Sequence, residues 1–375
     1  MPRDLLIILV WFVLFAIFAG SYSAYFAYLK SNAHKKWHLK IDPQFTPSVT
    51  VLVPVHNEES VIYRKLENID QVTYPKDKLE IVLIDDESTD QTLEKAHNFA
   101  RDHPDLSLRI LIQAPRKGKA HALNKGLEYS SNDIIIVSDA DAFWPTNILR
   151  DALPYLSDST VGAITGQQVP ENIGQTWVTR AEESYLDFMH VWRLGESKIH
   201  STIRFEGVFC AFKKSALEEF DCESGADDSG TALRVVQRGF RSILVPEARV
   251  PSEVQPLFGE RIKVKTRRAT QLAGLWLQCL RLLVRRRLKL PKRLAVPEIF
   301  LSLFVPFIFV ALVVVTILLL IIYPIVLVSF VVVSCIVFLI PKARRSLVQG
   351  VVDQFILFYS VILCATNKRF IIWEG

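Results

Sequence analysis

Between residues 46 and 250 this chain alternates short apolar runs with stretches of helical spacing, and that alternation limits the folds open to it. Runs at 49–53, 80–84, 108–112, 134–137, 161–165 and 243–245 have strand length and are largely apolar throughout. Such runs belong to strands buried on both faces. Segments 59–69, 90–101, 120–129 and 147–156 have helical spacing. Strand and helix in turn predict an α/β domain over 41–258, with a mostly parallel sheet covered on both sides. Pro246, Pro251 and Pro256 mark the exit from it.

Apolar stretches flank this domain. Residues 5–29 form an uncharged run of about 25 residues, long enough to span a bilayer. It is too long for a signal peptide and is followed by no small-residue cleavage site, so it reads as a retained anchor, with its basic flank making up 1–40. Lys30, Lys35, Lys36 and Lys40 place its C-terminal side in the cytoplasm. Residues 299–323 and 325–340, bent at Pro324, read as a helical hairpin occupying 299–341, with basic flanks at 285–293 and 342–345. Segment 259–298 is basic and amphipathic in its first part (261–283) and suited to lie along a membrane. Gln349, Asp353 and Gln354 interrupt the last apolar stretch, so 342–375 is expected to lie in the interface. The expectation is a multi-pass plasma-membrane protein with its catalytic domain in the cytoplasm.

The formal net charge is +5, with Lys and Arg crowded beside the apolar stretches. That placement suits anionic lipid headgroups and argues against nucleic acid as a partner. Five cysteines without paired spacing predict neither a disulfide framework nor a zinc site.

Four polar segments follow strand ends, where open α/β sheets bind ligands. The first strand stops at Pro54 and opens the loop His56-Asn57-Glu58, a place for a base and ribose. The second ends in Asp85-Asp86, two adjacent carboxylates able to accept from a nucleobase N–H or a ribose hydroxyl. Lys117-Gly118-Lys119 opens a helix, where free N–H groups and cations converge on an anion. The run 134–137 leads through Ser138 into Asp139-Ala140-Asp141, hard oxygen ligands suited to Mg²⁺ or Mn²⁺ held against a diphosphate. Each segment alone also reads as an ordinary turn or helix cap.

As an ordered set these segments resemble family-2 glycosyltransferases of the GT-A fold, over roughly residues 46–270, in a reduced version of the cellulose- and hyaluronan-synthase arrangement. The resemblance implies Pro54, Asn57, Glu58, Asp85, Asp86, Lys119 and Asp139 as donor-binding residues and Asp139 and Asp141 as metal ligands. It implies Asp228, in Ala226-Asp227-Asp228, as general base, with Ala and Asp replacing the family's Thr and Glu. Gly207 and Asp227 fall on the acceptor side. The Gln-x-x-Arg-Trp signature of processive synthases is reduced here to Val264-Lys265-Thr266-Arg267-Arg268. Arg267 keeps a cation for the diphosphate, while Arg268, also assigned to the acceptor side, replaces the Trp that stacks the acceptor sugar.

The resemblance therefore implies an inverting transferase that moves one or a few sugars from a nucleoside-diphosphate sugar to a polyprenyl- or dolichyl-linked acceptor. Two methionines in 375 residues match a thermophile composition. An archaeal source would make GDP-mannose the expected donor, in lipid-linked N-glycan assembly. The rivals are a processive polysaccharide synthase, a polyprenyl-phosphate sugar transferase, and a nucleotide-sugar-binding scaffold without turnover.

Overall fold

The computed structural model describes residues 3–323 and 339–366. The described residues divide into two compact units, one of 31–173 and 186–254, the other of 3–30, 174–185, 255–323 and 339–366.

The first unit is the α/β domain. Its strands are β1 (Val49–Val55), β2 (Leu79–Asp85), β3 (Ser107–Ile112), β4 (Ile134–Val137), β5 (Val161–Pro170), β6 (Cys210–Lys213) and β7 (Arg241–Ser252), joined in one sheet in the order β3-β2-β1-β4-β6-β5-β7. Pairings β3/β2, β2/β1, β1/β4 and β5/β7 are parallel, and β6 is antiparallel to both β4 and β5. This is the mixed, mostly parallel sheet of a GT-A-like fold.

β1 and β2 are buried along their whole length, as strands covered on both faces must be. Pro54 is tolerated in the central β1 because β4 pairs only as far as Leu52. Strand alternation turns Pro54 to the same edge as Leu52, whose carbonyl accepts from Ser138 N, so its missing N–H falls where β4 has already ended.

The helices are α2 (Ile62–Asp70), α3 (Thr92–Asp102), α4 (Lys119–Tyr129), the short α5 (Ile148–Ala152) and α7 (Asp227–Gln237). α6 (Trp177–Ile199) begins in the other unit and ends in this one. The sequence reading missed β6, whose four residues lack a distinctive pattern, and it stopped β5 and β7 short. Irregular register between Thr165 and Gln167 carries both strands on through polar residues. This unit also takes in residues 31–40. There Lys40 N donates to Asp158 Oδ2 at 2.7 Å, and Trp37 meets Tyr155 edge to face and receives Lys198 Nζ 3.8 Å from its ring centroid.

The second unit contains α1 (Arg3–Ala33, the first 28 residues of the helix lying here), α8 (Phe258–Val284), α9 (Lys292–Ile299), α10 (Val305–Ile322) and α11 (Pro341–Ala365). A π-helical stretch, Phe300–Phe304, joins α9 to α10, so the apolar rod begins at Lys292 and not at 299. By length and composition Leu5–Ala33, Lys292–Ile322 and Leu347–Ala365 could each cross a membrane. The polar residues interrupting α11 are matched within the unit. Lys265 Nζ and Gln349 Nε2 donate to Asp353, and Gln354 Nε2 donates to Tyr22 Oη at 2.9 Å. Residues 324–338 of the expected hairpin lie outside the described residues.

Candidate active site

α4 starts at Lys119, directly after Gly118, whose φ of 92° needs glycine. Asp86 closes this start from below. Its Oδ1 accepts from Lys117 N at 2.9 Å and Gln113 Nε2 at 2.6 Å, and its Oδ2 from Gly118 N at 2.7 Å. Asp86 is thus engaged inside the protein. Neighbouring Asp85, almost wholly buried, accepts from Ser88 N through Oδ2, while Oδ1 has no hydrogen-bond partner among the described residues. Asn57, at φ 57°, accepts from Thr89 N at 2.8 Å and so ties the loop after β1 to the loop after β2.

From that start Lys119 Nζ reaches three carboxylates: Asp139 Oδ1 at 2.8 Å, Asp227 Oδ2 at 3.2 Å and Asp228 Oδ2 at 3.4 Å. Asp227 and Asp228 form the first turn of α7, where the helix dipole favours negative charge. The turn is set by Asp221, whose Oδ1 accepts from Arg234 Nε at 3.0 Å and from a second guanidinium nitrogen at 2.9 Å, while Oδ2 accepts from Ser224 N at 3.0 Å.

Charge is unbalanced here. Glu58 is pushed up to about 7 by burial and by Asp141, Asp139 and Asp90. Burial and Asp139 raise Asp141 as well. Asp228 is raised by burial and Asp227, with Lys119 opposing. Burial lowers Lys119, but the three carboxylates outweigh it and hold its ammonium charged. In this unit the carboxylates of Glu58, Asp139, Asp141, Asp227 and Asp228 thus face the two amines Lys119 and Lys65. Among the described residues no three His, Cys, Asp or Glu side chains close into a metal site by themselves. An excess of hard oxygen ligands with incomplete coordination suits a divalent ion completed by oxygens of a bound phosphate group.

Gly207 sits at the centre. Its carbonyl accepts from Asp139 N at 3.1 Å. A Cβ on it would stand 2.5 Å from Asp139 Oδ2 and 2.8 Å from both Asp228 Oδ2 and Lys119 Nζ. These are side-chain tips that can swing aside, so Gly207→Ala should fold normally. A displacement of about 1 Å in reacting groups is expected to lower turnover about 10²-fold. Steady-state transfer rates alongside unfolding midpoints check this, and equal rates would mean the space is unused.

The structure therefore brings together Glu58, Lys119, Asp139, Asp141, Gly207, Asp227 and Asp228, with Pro54, Asn57, Asp85 and Asp86 in the adjoining strand ends. Arg267 and Arg268 lie on α8, in the other unit. Sequence reasoning passed over Lys65, Asn68, Trp144 and Glu206. Glu206 accepts from Gln168 N at 2.9 Å and pairs with the buried Arg193 at 2.9 Å. The one available signal was Lys65, a lysine on the inward stripe Ile62-Leu66-Ile69 of α2.

Residues 50–221 match the model of glycosyl transferase family 2. A mannosyltransferase from Pyrobaculum calidifontis, solved in complex with GDP-Man and Mn²⁺, is similar over 97% of this chain and 100% of that one, with a TM-score of 0.83 and 29% identity. Residues 50–221 thus form a family-2 glycosyltransferase domain. A probable glycosyltransferase of Bacillus subtilis is 31% identical over 60% of this chain and 54% of its own length. A beta-monoglucosyldiacylglycerol synthase of Synechocystis is 32% identical over 36% of this chain and 28% of its own. The chain thus spans about half, or less, of the length of these two relatives.

Proposed function

We propose that this family-2 glycosyltransferase is an inverting mannosyltransferase that uses GDP-mannose and a divalent ion and transfers one or a few sugars to a lipid-linked acceptor. The observation that carries this reading is the cluster of Lys119, Asp139, Gly207 and Asp228, which packs an anion-binding cation and a buried carboxylate against each other over the bare face of one glycine. The relative bound to GDP-Man and Mn²⁺ supports the donor, and the glycolipid-synthase relatives and the apolar helices support a lipid acceptor.

Asp139 and Asp141 would hold the ion, which when bound supplies positive charge to the diphosphate. Asp85, with an uncommitted oxygen, and the Asn57 loop would take the nucleoside. Asp228 accepts the proton of the acceptor hydroxyl as that oxygen attacks the anomeric carbon. The bond to the diphosphate breaks on the opposite face and the configuration inverts. Lys119 exchanges its carboxylate partners for the departing diphosphate, which a fixed cation stabilises as charge builds. Gly207 leaves room for the acceptor beside Asp228. Arg267 would add a second cation for the diphosphate and Arg268 would stand on the acceptor side. With Arg268 where processive relatives stack the polymer on Trp, release after few additions is expected. The catalytic unit would face the cytoplasm, where nucleotide sugars are made.

A thermal-shift panel of GDP- and UDP-sugars with and without Mn²⁺, followed by sizing of the lipid-linked product, tests this. A Mn²⁺-dependent shift with GDP-mannose and a product of one or few added sugars are expected. A UDP-sugar preference overturns the donor, and a ladder of long polymer overturns the limited transfer.

A further inference from the structure

Lys65 is wholly buried on α2, in line with Ile62, Leu66 and Ile69, where an apolar residue would normally stand. An amine in such a place is strongly disfavoured unless its donors find acceptors. They find them in one place. Lys65 Nζ donates to Ser138 Oγ at 2.7 Å and to the carbonyl of Ala142, and it stands 4.5 Å from the centroid of the Trp144 ring. Ser138 and Ala142 are the residues immediately before and after Asp139-Ala140-Asp141. One turn along the same helix, Asn68 Nδ2 donates to Trp144 O at 2.8 Å and Asn68 Oδ1 accepts from Trp144 N at 2.7 Å. The Trp144 indole N–H donates to Val208 O at 2.8 Å, next to Gly207.

We propose that Lys65 and Asn68 are positioning residues that grip the Asp139-Ala140-Asp141 loop from beneath, so that its two carboxylates stand ready for a divalent ion before donor arrives. The loop carries two carboxylates close to Glu58 and to each other, and their repulsion favours spreading it open. Backbone hydrogen bonds hold mainly its start, Ser138 N donating to Leu52 O at 3.2 Å and Asp139 N to Gly207 O at 3.1 Å, while its far end has the long bond from Ala142 N to Asp139 O at 3.3 Å. Four side-chain hydrogen bonds from one rigid helix resist that spreading. Through Trp144 the same helix sets Val208 and hence the Gly207 side, so the donor and acceptor halves share one support. Residues that orient metal ligands typically change metal affinity about 10–100-fold when removed.

The inference rests on the metal-dependent donor reading, and two measurements separate their failures. The first is amide hydrogen exchange over 138–146 in the metal-free protein. The second is the Mn²⁺ midpoint of the thermal shift given by GDP. Lys65→Met removes both a grip and a nearby amine, and the loss of whatever positive charge it carries by itself favours a cation, so this variant is read by exchange. Asn68→Leu keeps the charge and removes only the two bonds to Trp144, so it reads positioning alone.

Exchange about tenfold faster in both variants and a Mn²⁺ midpoint about 10-fold or more higher in Asn68→Leu are expected. Wild-type exchange in Lys65→Met, or a wild-type midpoint in Asn68→Leu, overturns the proposal. Should Lys65→Met not fold, Ser138→Ala deletes one acceptor of the ammonium without changing charge and replaces it on the same terms. If the wild-type protein shows no Mn²⁺-dependent shift with GDP, the donor reading fails, and exchange alone decides the grip.

Discussion

Asp228→Asn is expected to lower sugar transfer by about 10²–10⁴-fold, the range for removal of a general base, while donor affinity stays close to wild type. Asparagine has the shape of aspartate, and the turn that carries it is fixed by Asp221 and Arg234 and not by Asp228 itself. The substitution therefore removes a proton acceptor and one of the three carboxylates around Lys119, with Asp139 and Asp227 left to hold the ammonium. Burial and Asp227 already raise the Asp228 carboxyl above the ordinary range, which makes it a stronger base than a solvated aspartate. Single-turnover transfer to a lipid-linked acceptor, measured beside nucleotide affinity, separates the two effects. Wild-type transfer in Asp228→Asn would move the base to Asp227, which shares the Lys119 ammonium at 3.2 Å.

Asp141→Ala is expected to abolish the metal-dependent part of nucleotide binding without unfolding the protein. Asp141 lies in the loop beyond β4, outside the apolar core, and its carboxyl is raised by burial and by Asp139. Removing it relieves repulsion in the apo protein, so stability should hold or rise slightly. Nucleotide at 100 times its Kd stabilises a protein by about 2.7 kcal/mol, and the Mn²⁺-dependent share of that gain should vanish. Thermal shifts with GDP, with and without Mn²⁺, read the loss. Equal Mn²⁺ dependence in Asp141→Ala and wild type would exclude Asp141 as a ligand.

The sequence by itself determined the α/β class, the first four strands and the acidic or basic residues at their ends. These follow from local pattern: a buried parallel strand must be apolar along its length, and a carboxylate pair directly after it has no place in the core. The same logic marked Lys119 and Asp139 as separate candidates, and the family resemblance added Asp228. Tertiary structure alone decided that these three meet around Gly207, because residues 119, 139, 207 and 228 converge through strand order, with antiparallel β6 inserted between β4 and β5. No spacing rule encodes that order. Tertiary structure also divided two adjacent carboxylates that look alike in sequence. Asp86 is consumed by the backbone of the α4 start, whereas Asp85 keeps an oxygen without a partner among the described residues. It likewise decided the place of Lys65. A lysine within a helical pattern usually reads as surface, and only the packing of α2 under the Asp139-Ala140-Asp141 loop supplies the acceptors that let an ammonium be buried there.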